Sequence, residues 1–213
     1  MTRILPGVIA MAAIVVASNI LVQFLILDGL LTWGAFTYPL AFLVTDVMNR
    51  VYGTQAARKV VFAGLIVGIV CSLVGTQIML QGDGYTYPAV ALRIAIASAT
   101  AFGVAQLLDI AIFDRLRDGS WWKAPLTSTI VGSTVDTVIF FTIAFAALFN
   151  GLSATAAEEV TWAQDAAPFL SAGPLVPLWV SLAVADWGVK LTIALLALVP
   201  FRLIVGRLQQ AKI

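Results

Sequence analysis

The sequence contains no histidine and a single cysteine, Cys71, among its 213 residues. Without histidine, the chain cannot build a Ser-His or Cys-His nucleophile pair or a zinc site of the common histidine type. One cysteine cannot form an internal disulfide, and Cys71 lies in an apolar stretch, where it is expected to pack as a small hydrophobe. A phosphate-binding loop of the form G-x-x-x-x-G-K-[ST] is also absent, so we expect no ATP hydrolysis by this chain. We therefore expect no catalytic residues, no cofactor and no metal.

Charge is scarce as well. Charged residues make up 11% of the chain and hydrophobic residues 61%, whereas soluble domains carry about 25% charge. The net charge of +1 indicates no nucleic-acid partner. A membrane-spanning helix needs about 20 apolar residues, and six stretches are long enough: Gly7–Leu27, Gly34–Tyr52, Val60–Leu80, Pro88–Phe113, Ala124–Phe149 and Leu175–Val199. The sequence predicts an all-α membrane protein with six transmembrane helices, in a single domain over residues 1–213.

The loops and tails divide cleanly by charge. Apart from Arg93 and Lys190, the basic residues occur at the start of the chain, in alternate loops and in the tail: Arg3, Arg50, Arg58, Lys59, Arg115, Arg117, Lys123, Arg202, Arg207 and Lys212. The other loops carry acids but no lysine or arginine: Asp28, Asp83, Glu158, Glu159 and Asp165. Cytoplasmic loops of membrane proteins are enriched in basic residues. We therefore expect both termini in the cytoplasm, with residues 150–173 forming a long outer loop that holds a short helix begun by Ser153.

Ionisable residues also lie inside the spans, among them Asp46, Arg93, Asp136, Asp186 and Lys190. Each costs about 2.5–3.5 kcal/mol at the centre of a membrane helix unless it is paired or hydrated, so each is a candidate functional residue. The i,i+4 spacing of Asp186 and Lys190 allows a pair on one helix. Asp136 has no such local partner, so its charge must be met by Arg93, Lys190, water or a ligand, or it must be protonated.

Asp46 and Asn49 are one turn apart in the second span, and Arg50 follows Asp46 by four residues. One interpretation is an ion pair within the helix, with Arg50 reaching inward. The other places Asp46 in a polar cavity, which the company of Thr45 and Asn49 favours. At its outer end this span contains glycine and proline between Trp33 and Pro39, which predicts a broken start of the helix.

The fourth span carries Arg93 near its outer end and Gln106 and Asp109 toward its inner end. Arg93 either reaches the outer surface or pairs with an acid in the bundle. Asp109 is expected at the cytoplasmic interface with Asp114 and Arg115.

In the first span, Asn19 and Gln23 share a face, and their amides either bind a neighbouring helix or contact a ligand. Gly64, Gly68, Ser72 and Gly75 in the third span form a narrow face for close packing of helices.

Several short strings recur in an order typical of one family. They are Ser18-Asn19 with Gln23, Trp33-Gly34-Ala35-Phe36, Thr45-Asp46, Gln106-x-x-Asp109, Phe113-x-Arg115-Leu116-Arg117, Trp121-Trp122-x-Ala124-Pro125, Thr127-Ser128-Thr129, Asp136, the run Phe140–Phe145, and Asp186 with Lys190. The ordered set covers almost the whole chain and resembles the bacterial queuosine-precursor transporter family, also called the vitamin uptake transporter (VUT) or YhhQ family.

The resemblance implies uptake of 7-cyano-7-deazaguanine and 7-aminomethyl-7-deazaguanine (preQ0 and preQ1), precursors of the tRNA base queuosine, across the bacterial inner membrane. It also implies a six-helix fold similar to the substrate-binding subunits of energy-coupling-factor vitamin transporters. A guanine-like base offers two adjacent donors to one carboxylate and a flat ring to an aromatic side chain. Asp136 or Asp46, Asn19 or Gln23, and Phe140 or Trp33 are candidates for these contacts. Phe36, Asn49, Arg93, Gln106, Asp186 and Lys190 complete the expected substrate site.

Two alternatives stay open at this point. The chain could be a substrate-binding subunit of an ATP-driven vitamin or nucleobase transporter that needs a separate ATPase module. It could also be an intramembrane enzyme, although no nucleophile–base pair or metal-binding pattern supports this. The expected partners are a deazaguanine substrate and the lipid bilayer. The sequence leaves open whether the protein forms a homo-oligomer, which deazaguanine it prefers and which ion drives uptake.

Overall fold

The computed structural model describes residues 4–22, 24–27, 29–82, 84–152 and 158–210. Its helices are α1 (Leu5–Leu21), α2 (Gly34–Thr37), α3 (Leu40–Tyr52), α4 (Thr54–Gln77), α5 (Leu92–Leu116), α6 (Lys123–Phe145) and α7 (Leu178–Gln210). Short strands form three antiparallel hairpins: β1 (Leu25–Ile26) with β2 (Leu31–Thr32), β3 (Met79–Gln81) with β4 (Thr86–Pro88), and β5 (Ala166–Pro168) with β6 (Leu175–Pro177). Three 3-10 segments, Ala147–Leu152, Thr161–Gln164 and Phe169–Ser171, accompany the last hairpin.

Four helices, α4 to α7, are long and apolar enough to cross a membrane, and α1 is a shorter apolar helix of 17 residues. The chain is therefore a mostly helical, multi-pass membrane protein. The second predicted span is divided into α2 and α3 at Tyr38 and Pro39. Proline has no N–H to donate and its ring clashes with the preceding turn, so the expected break at this end of the span is confirmed.

The boundaries differ from the predicted spans at several ends. Helix α1 ends at Leu21, six residues before the predicted limit, because the chain turns into the β1–β2 hairpin. Helix α7 continues through Pro200 to Gln210, whereas the prediction ended at Val199. Ser153, expected to begin a helix in the outer loop, lies outside the described residues, and 3-10 turns and the β5–β6 hairpin form the described remainder of that loop.

Helix α3 is short but central. It contacts each of the other helices, and its side chains at Ala41, Phe42, Thr45 and Asn49 are fully buried. Any polar group on α3 therefore faces protein from several directions rather than lipid. This position makes Asp46 a core residue and explains why a 13-residue helix contributes so much to the site described below.

The small face of α4 packs against α1, as the sequence predicts. Gly64 lies against Met11, Gly68 against Val15, and Ser72 donates a hydrogen bond to Asn19. Both sets of residues advance in steps of four, so the two helices run in the same direction and remain in contact along their length. Small side chains let helix backbones approach closely where lipid provides no hydrophobic driving force.

Gly132 is the close-approach point between α6 and its neighbours. A Cβ atom there would lie 2.9 Å from Cε1 of Phe42 on α3 and 3.3 Å from Cβ of Asp109 on α5. Phe42 and Asp109 are fully buried, so neither can move aside without disturbing the packing of the core. Gly132 therefore sets the distance between α3, α5 and α6.

We expect Gly132→Ala to destabilise the protein by roughly 1–3 kcal/mol, as for other overpacked cores. Gly188→Ala is the matched control, because no atom lies within 4 Å of a Cβ at this helical position on α7; alanine there should be neutral or slightly stabilising. Thermal unfolding of both variants in detergent measures the difference. Equal unfolding temperatures would show that the close approach at Gly132 is not required.

Candidate functional site: a buried ionic cluster and a carboxyl pair

Lys190 is the centre of a buried group that we call the ionic cluster: Tyr38, Asp136, Thr137, Asp186 and Lys190. The Lys190 ammonium lies 2.7 Å from Oδ2 of Asp136 on α6 and 2.6 Å from Oδ2 of Asp186 on its own helix. It also donates a hydrogen bond of 3.0 Å to Oγ1 of Thr137. The expected i,i+4 pair is thus formed, and the partner that the sequence left open for Asp136 is Lys190. One ammonium ion serves two carboxylates, so the cluster carries one excess negative charge when all three groups are ionised.

Tyr38 completes the cluster from the break between α2 and α3. Its hydroxyl donates to Oδ1 of Asp136 at 2.9 Å, and its ring lies 5.5 Å from the Lys190 ammonium. Thr137 donates a 3.1 Å hydrogen bond to Asp186. Sequence reasoning missed both Tyr38 and Thr137. The signals were a phenol beside the proline break and a hydroxyl next to an intramembrane acid, but neither identifies its partner on another helix.

A second polar group, the carboxyl pair, consists of Asp46 on α3 and Asp109 on α5. Asp46 is 3% exposed and Asp109 0%, and their carboxyl groups lie within hydrogen-bonding reach of each other. The hydroxyls of Ser128 and Thr129 on α6 donate to Asp46 at 3.3 and 3.1 Å. Asp109 was expected at the cytoplasmic interface; this is wrong, because α3 and α6 cover that face of α5.

The carboxyl pair forms no ion pair among the residues that the structure describes. Both oxygens of Asp109 also have no hydrogen-bond donor there. Two like unit charges about 4 Å apart repel by about 4 kcal/mol at an effective dielectric constant of about 20. An arrangement with both carboxyls ionised is therefore costly without a further positive group.

The ion pair proposed between Asp46 and Arg50 is not formed. The Arg50 guanidinium donates to the backbone carbonyl of Arg117 at 2.6 Å and lies 5.0 Å from the centre of the Phe113 ring. Asp46 instead borders a cavity of about 10 Å³, shared with Thr129 and otherwise lined by apolar groups and prolines of α3, α6 and α7. This volume holds at most about one water molecule, and its lining is mostly apolar, so the structure does not show the polar cavity predicted for Asp46.

The amide side chains bind neighbouring helices. Gln106 accepts a 2.5 Å hydrogen bond from Thr45, and its Nε2 has no acceptor among the described residues. Asn49 donates to the Ile110 carbonyl at 3.2 Å and accepts from Arg117. Asn19 donates to the carbonyl of Val15 at 2.9 Å and accepts from Ser72 on α4. Gln23, predicted with Asn19, lies outside the described residues.

Arg93 corrects both sequence-based interpretations, since it neither reaches the surface nor pairs with an acid. It is 6% exposed, and its guanidinium donates to the carbonyls of Ile143 and Ala146 at 2.7 and 2.5 Å and to Oδ1 of Asn150 at 2.8 Å. The last carbonyls of a helix lack partners within it and carry partial negative charge. Arg93 satisfies these groups at the end of α6.

Of the predicted aromatic residues, Phe140 lies one turn beyond Asp136 on α6. Its ring packs edge-on against Phe141 and Phe145, with centroid distances of 5.1 and 6.2 Å. Trp33 and Phe36 lie before Tyr38 with centroids 5.9 Å apart, and both side chains are largely exposed. A groove of about 370 Å³ opens elsewhere, along α7 beside Arg50 and Trp121, and contains none of the predicted substrate residues.

We expect Lys190→Met to destabilise the protein by about 3–5 kcal/mol, because it leaves two buried carboxylates without the cation they share. Asp136→Asn and Asp186→Asn each leave one acid with one ammonium and should cost less. Lys123→Met removes an exposed lysine and is the matched control. Thermal unfolding in detergent gives these values.

The same measurement on Lys190→Met/Asp136→Asn tests the shared cation directly. Groups in one ion-pair network are not additive, so the double variant should recover part of the stability lost in Lys190→Met. Strict additivity of the two substitutions would contradict the shared role.

Both polar groups lie in the part of the chain that matches a known protein family. Residues 32–205 match the family described as "Putative vitamin uptake transporter", a range that contains the whole ionic cluster and the carboxyl pair. The "Queuosine precursor transporter" of Escherichia coli (strain K12) is 40% identical over 141 residues, which cover 62% of this chain and 64% of that protein. The "Probable queuosine precursor transporter" of Haemophilus influenzae is 37% identical over 176 residues, covering 79% and 66%.

A "Probable queuosine precursor transporter" of Bacillus subtilis (strain 168) is 30% identical over 132 residues, which cover 55% of this chain and 58% of that protein. The chain thus spans just under two thirds of the length of the first two relatives. No solved structure matches it. Because the family match covers most of the sequence and both polar groups, the chain belongs to the vitamin uptake transporter family.

Proposed function

We propose that this protein takes up queuosine precursors, 7-cyano-7-deazaguanine and 7-aminomethyl-7-deazaguanine, across the bacterial inner membrane. In this proposal the chain is a single transporter domain with six spans, in which α1 is the first span and α2 with α3 the second, as in the substrate-binding subunits of energy-coupling-factor transporters. It changes no covalent bond in its substrate. Support comes from the family match and from the names of the three relatives.

The observation that carries the proposal is the geometry of Asp136. Each of its oxygens accepts one hydrogen bond, Oδ1 from Tyr38 and Oδ2 from Lys190. A deazaguanine presents the same pattern, because its ring N–H and its exocyclic amine are adjacent donors that one carboxylate can accept together. The base would replace Tyr38 and Lys190 at Asp136. The released Lys190 ammonium would then be a donor for the carbonyl of the base.

The substrate must enter a cluster that is closed to solvent in this structure, since Asp136 and Lys190 are 3% and 4% exposed. Tyr38 and Lys190 bridge α6 to α3 and α7, so their displacement loosens both contacts. Phe140, one turn along α6, would offer its ring to the flat base. Stacking of a base on an aromatic side chain is worth about 1–3 kcal/mol in nucleic-acid sites.

Ligand-induced thermal stabilisation across a panel of nucleobases tests the substrate class, since a ligand that binds only the native state raises its stability by mass action. We expect the two deazaguanines and guanine to stabilise the purified protein and adenine and pyrimidines not to. Uptake by the purified protein alone, in liposomes without ATP, is expected as well. A strict requirement for a separate ATPase module would contradict the proposed transport mode.

We expect Asp136→Asn to weaken deazaguanine binding by roughly 1.5–3 kcal/mol, the range for hydrogen bonds to charged groups, which is about 10- to 100-fold in affinity. Asp114→Asn is the control, because Asp114 is exposed and pairs only with groups at the cytoplasmic end. Affinity is measured from the ligand dependence of the unfolding temperature of each variant. Parent-like affinity in Asp136→Asn would remove Asp136 from the site.

The proposed orientation, with both termini in the cytoplasm, rests on the one-sided distribution of lysine and arginine. In a Cys71→Ala background, we expect Glu158→Cys to react with a membrane-impermeant maleimide added to intact cells. Lys123→Cys, at the opposite end of α6, should react only after the membrane is opened. Both side chains are exposed, so reactivity reports sidedness rather than burial. The reverse pattern would invert the topology.

A further inference from the structure

The carboxyl pair of Asp46 and Asp109 has no part in the proposed substrate site. On α3, Asp46 lies eight residues beyond Tyr38, and on α6, Ser128 lies eight residues before Asp136, so the pair is about 12 Å along both helices from the ionic cluster. The pair is enclosed where α3, α5 and α6 meet, and Gly132 brings α6 against Asp109. A second buried acidic group in one small bundle calls for its own explanation.

No cation pairs with either carboxyl within the described residues. From α6 the pair is faced by the hydroxyls of Ser128 and Thr129. Helix α7 presents apolar side chains, among them Ala194 and Phe201. Helix α5 adds Gln106, whose oxygen accepts from Thr45 beside Asp46 and whose buried Nε2 has no acceptor.

The charged groups on neighbouring turns form no ion pair with either carboxyl. On α3, the Arg50 guanidinium donates to the Arg117 carbonyl and lies over the Phe113 ring, and its buried Nη2 has no hydrogen-bond partner among the described residues. Asp136 and Lys190, two turns away, bind each other. Both oxygens of Asp109 are buried and receive no hydrogen bond within the described residues. Arg50 is thus the nearest cation on α3, and it is not bonded to the pair.

A proton is the ligand that fits this geometry. Ionised carboxylates only accept hydrogen bonds, so two carboxyls within hydrogen-bonding reach can bond to each other only if one carries a proton. Like charges at this spacing do not both ionise, and paired acids commonly share one proton. The adjacent cavity of about 10 Å³ is lined largely by apolar groups and holds no more than one water, which leaves no room for a hydrated metal cation.

We propose that Asp46 and Asp109 form a proton-binding site, which holds one proton between the two carboxyls and exchanges it during the transport cycle. The exchange of the proton during the transport cycle rests on the proposed transport function. Tyr38 lies at the break just before α3, which carries Asp46, and Asp136 and Ser128 lie on the facing helix α6. A substrate that displaces Tyr38 from Asp136 removes a hydrogen bond between these helices, and the resulting shift changes the spacing of the carboxyl pair and its affinity for the proton. Intramembrane acids of this kind often belong to proton pathways.

Infrared spectroscopy of the purified protein near neutral pH tests the proton directly. We expect a carbonyl band of a protonated carboxylic acid that shifts in D₂O. The band is lost in Asp46→Asn/Asp109→Asn, which removes both carboxyls, and is retained in Asp114→Asn, whose parent carboxylate is exposed. Asparagine resembles a protonated aspartate in shape, so the double variant is expected to fold. Absence of the band in the parent, or its survival in the double variant, overturns the site.

Uptake of 7-cyano-7-deazaguanine into liposomes tests the exchange. We expect an imposed gradient with acid outside to accelerate uptake by the parent, and a sodium gradient to have no effect. Asp109→Asn should keep ligand-induced stabilisation and lose the response to the pH gradient. Acceleration by sodium instead, or the same pH response in Asp109→Asn as in the parent, overturns the coupling. If no deazaguanine binds or enters, the proposed function fails, and the infrared band alone decides the proton site.

Discussion

The constraint on which this bundle depends is the placement of a few charges in a medium that cannot hydrate them. Lys190 meets it by binding Asp136 and Asp186 at once, from α7 to α6 and within α7. Tyr38 and Thr137 supply the remaining donors and acceptors. Four side chains around one ammonium ion thereby tie α3, α6 and α7 together. The same contacts give the cluster a carboxylate whose two oxygens each accept a hydrogen bond, Oδ1 from Tyr38 and Oδ2 from Lys190.

Helix α3 links this cluster to the carboxyl pair. It has only 13 residues, yet it contacts each of the other helices. Its first turns follow Tyr38, and Asp46 lies in its middle. Helix α6 runs in the opposite direction, so its Asp136 lies beside Tyr38 and its Ser128 lies beside Asp46. The two polar groups thus lie along the same pair of antiparallel helices, about two turns apart.

Other polar residues serve the architecture. Arg93 satisfies the carbonyls at the end of α6, and Asn49 joins α3 to α5 through Ile110. These roles are invisible in the sequence because they involve backbone groups, which every residue carries and which no side-chain pattern identifies. Asn19 binding Ser72 supports the interpretation of that amide as a link between helices.

The sequence by itself determined the apolar segments, the proline break before α3, the small face of α4 and the i,i+4 pair of Asp186 and Lys190. These are local properties, set by span length, backbone chemistry and helical spacing. The tertiary structure alone decided that Lys190 also binds Asp136, that Tyr38 joins them, and that Asp109 lies against Asp46 in the core. Those contacts join residues of different helices, and their geometry follows from the distance at which the helices pack. Spacing along one chain segment carries no information about that distance.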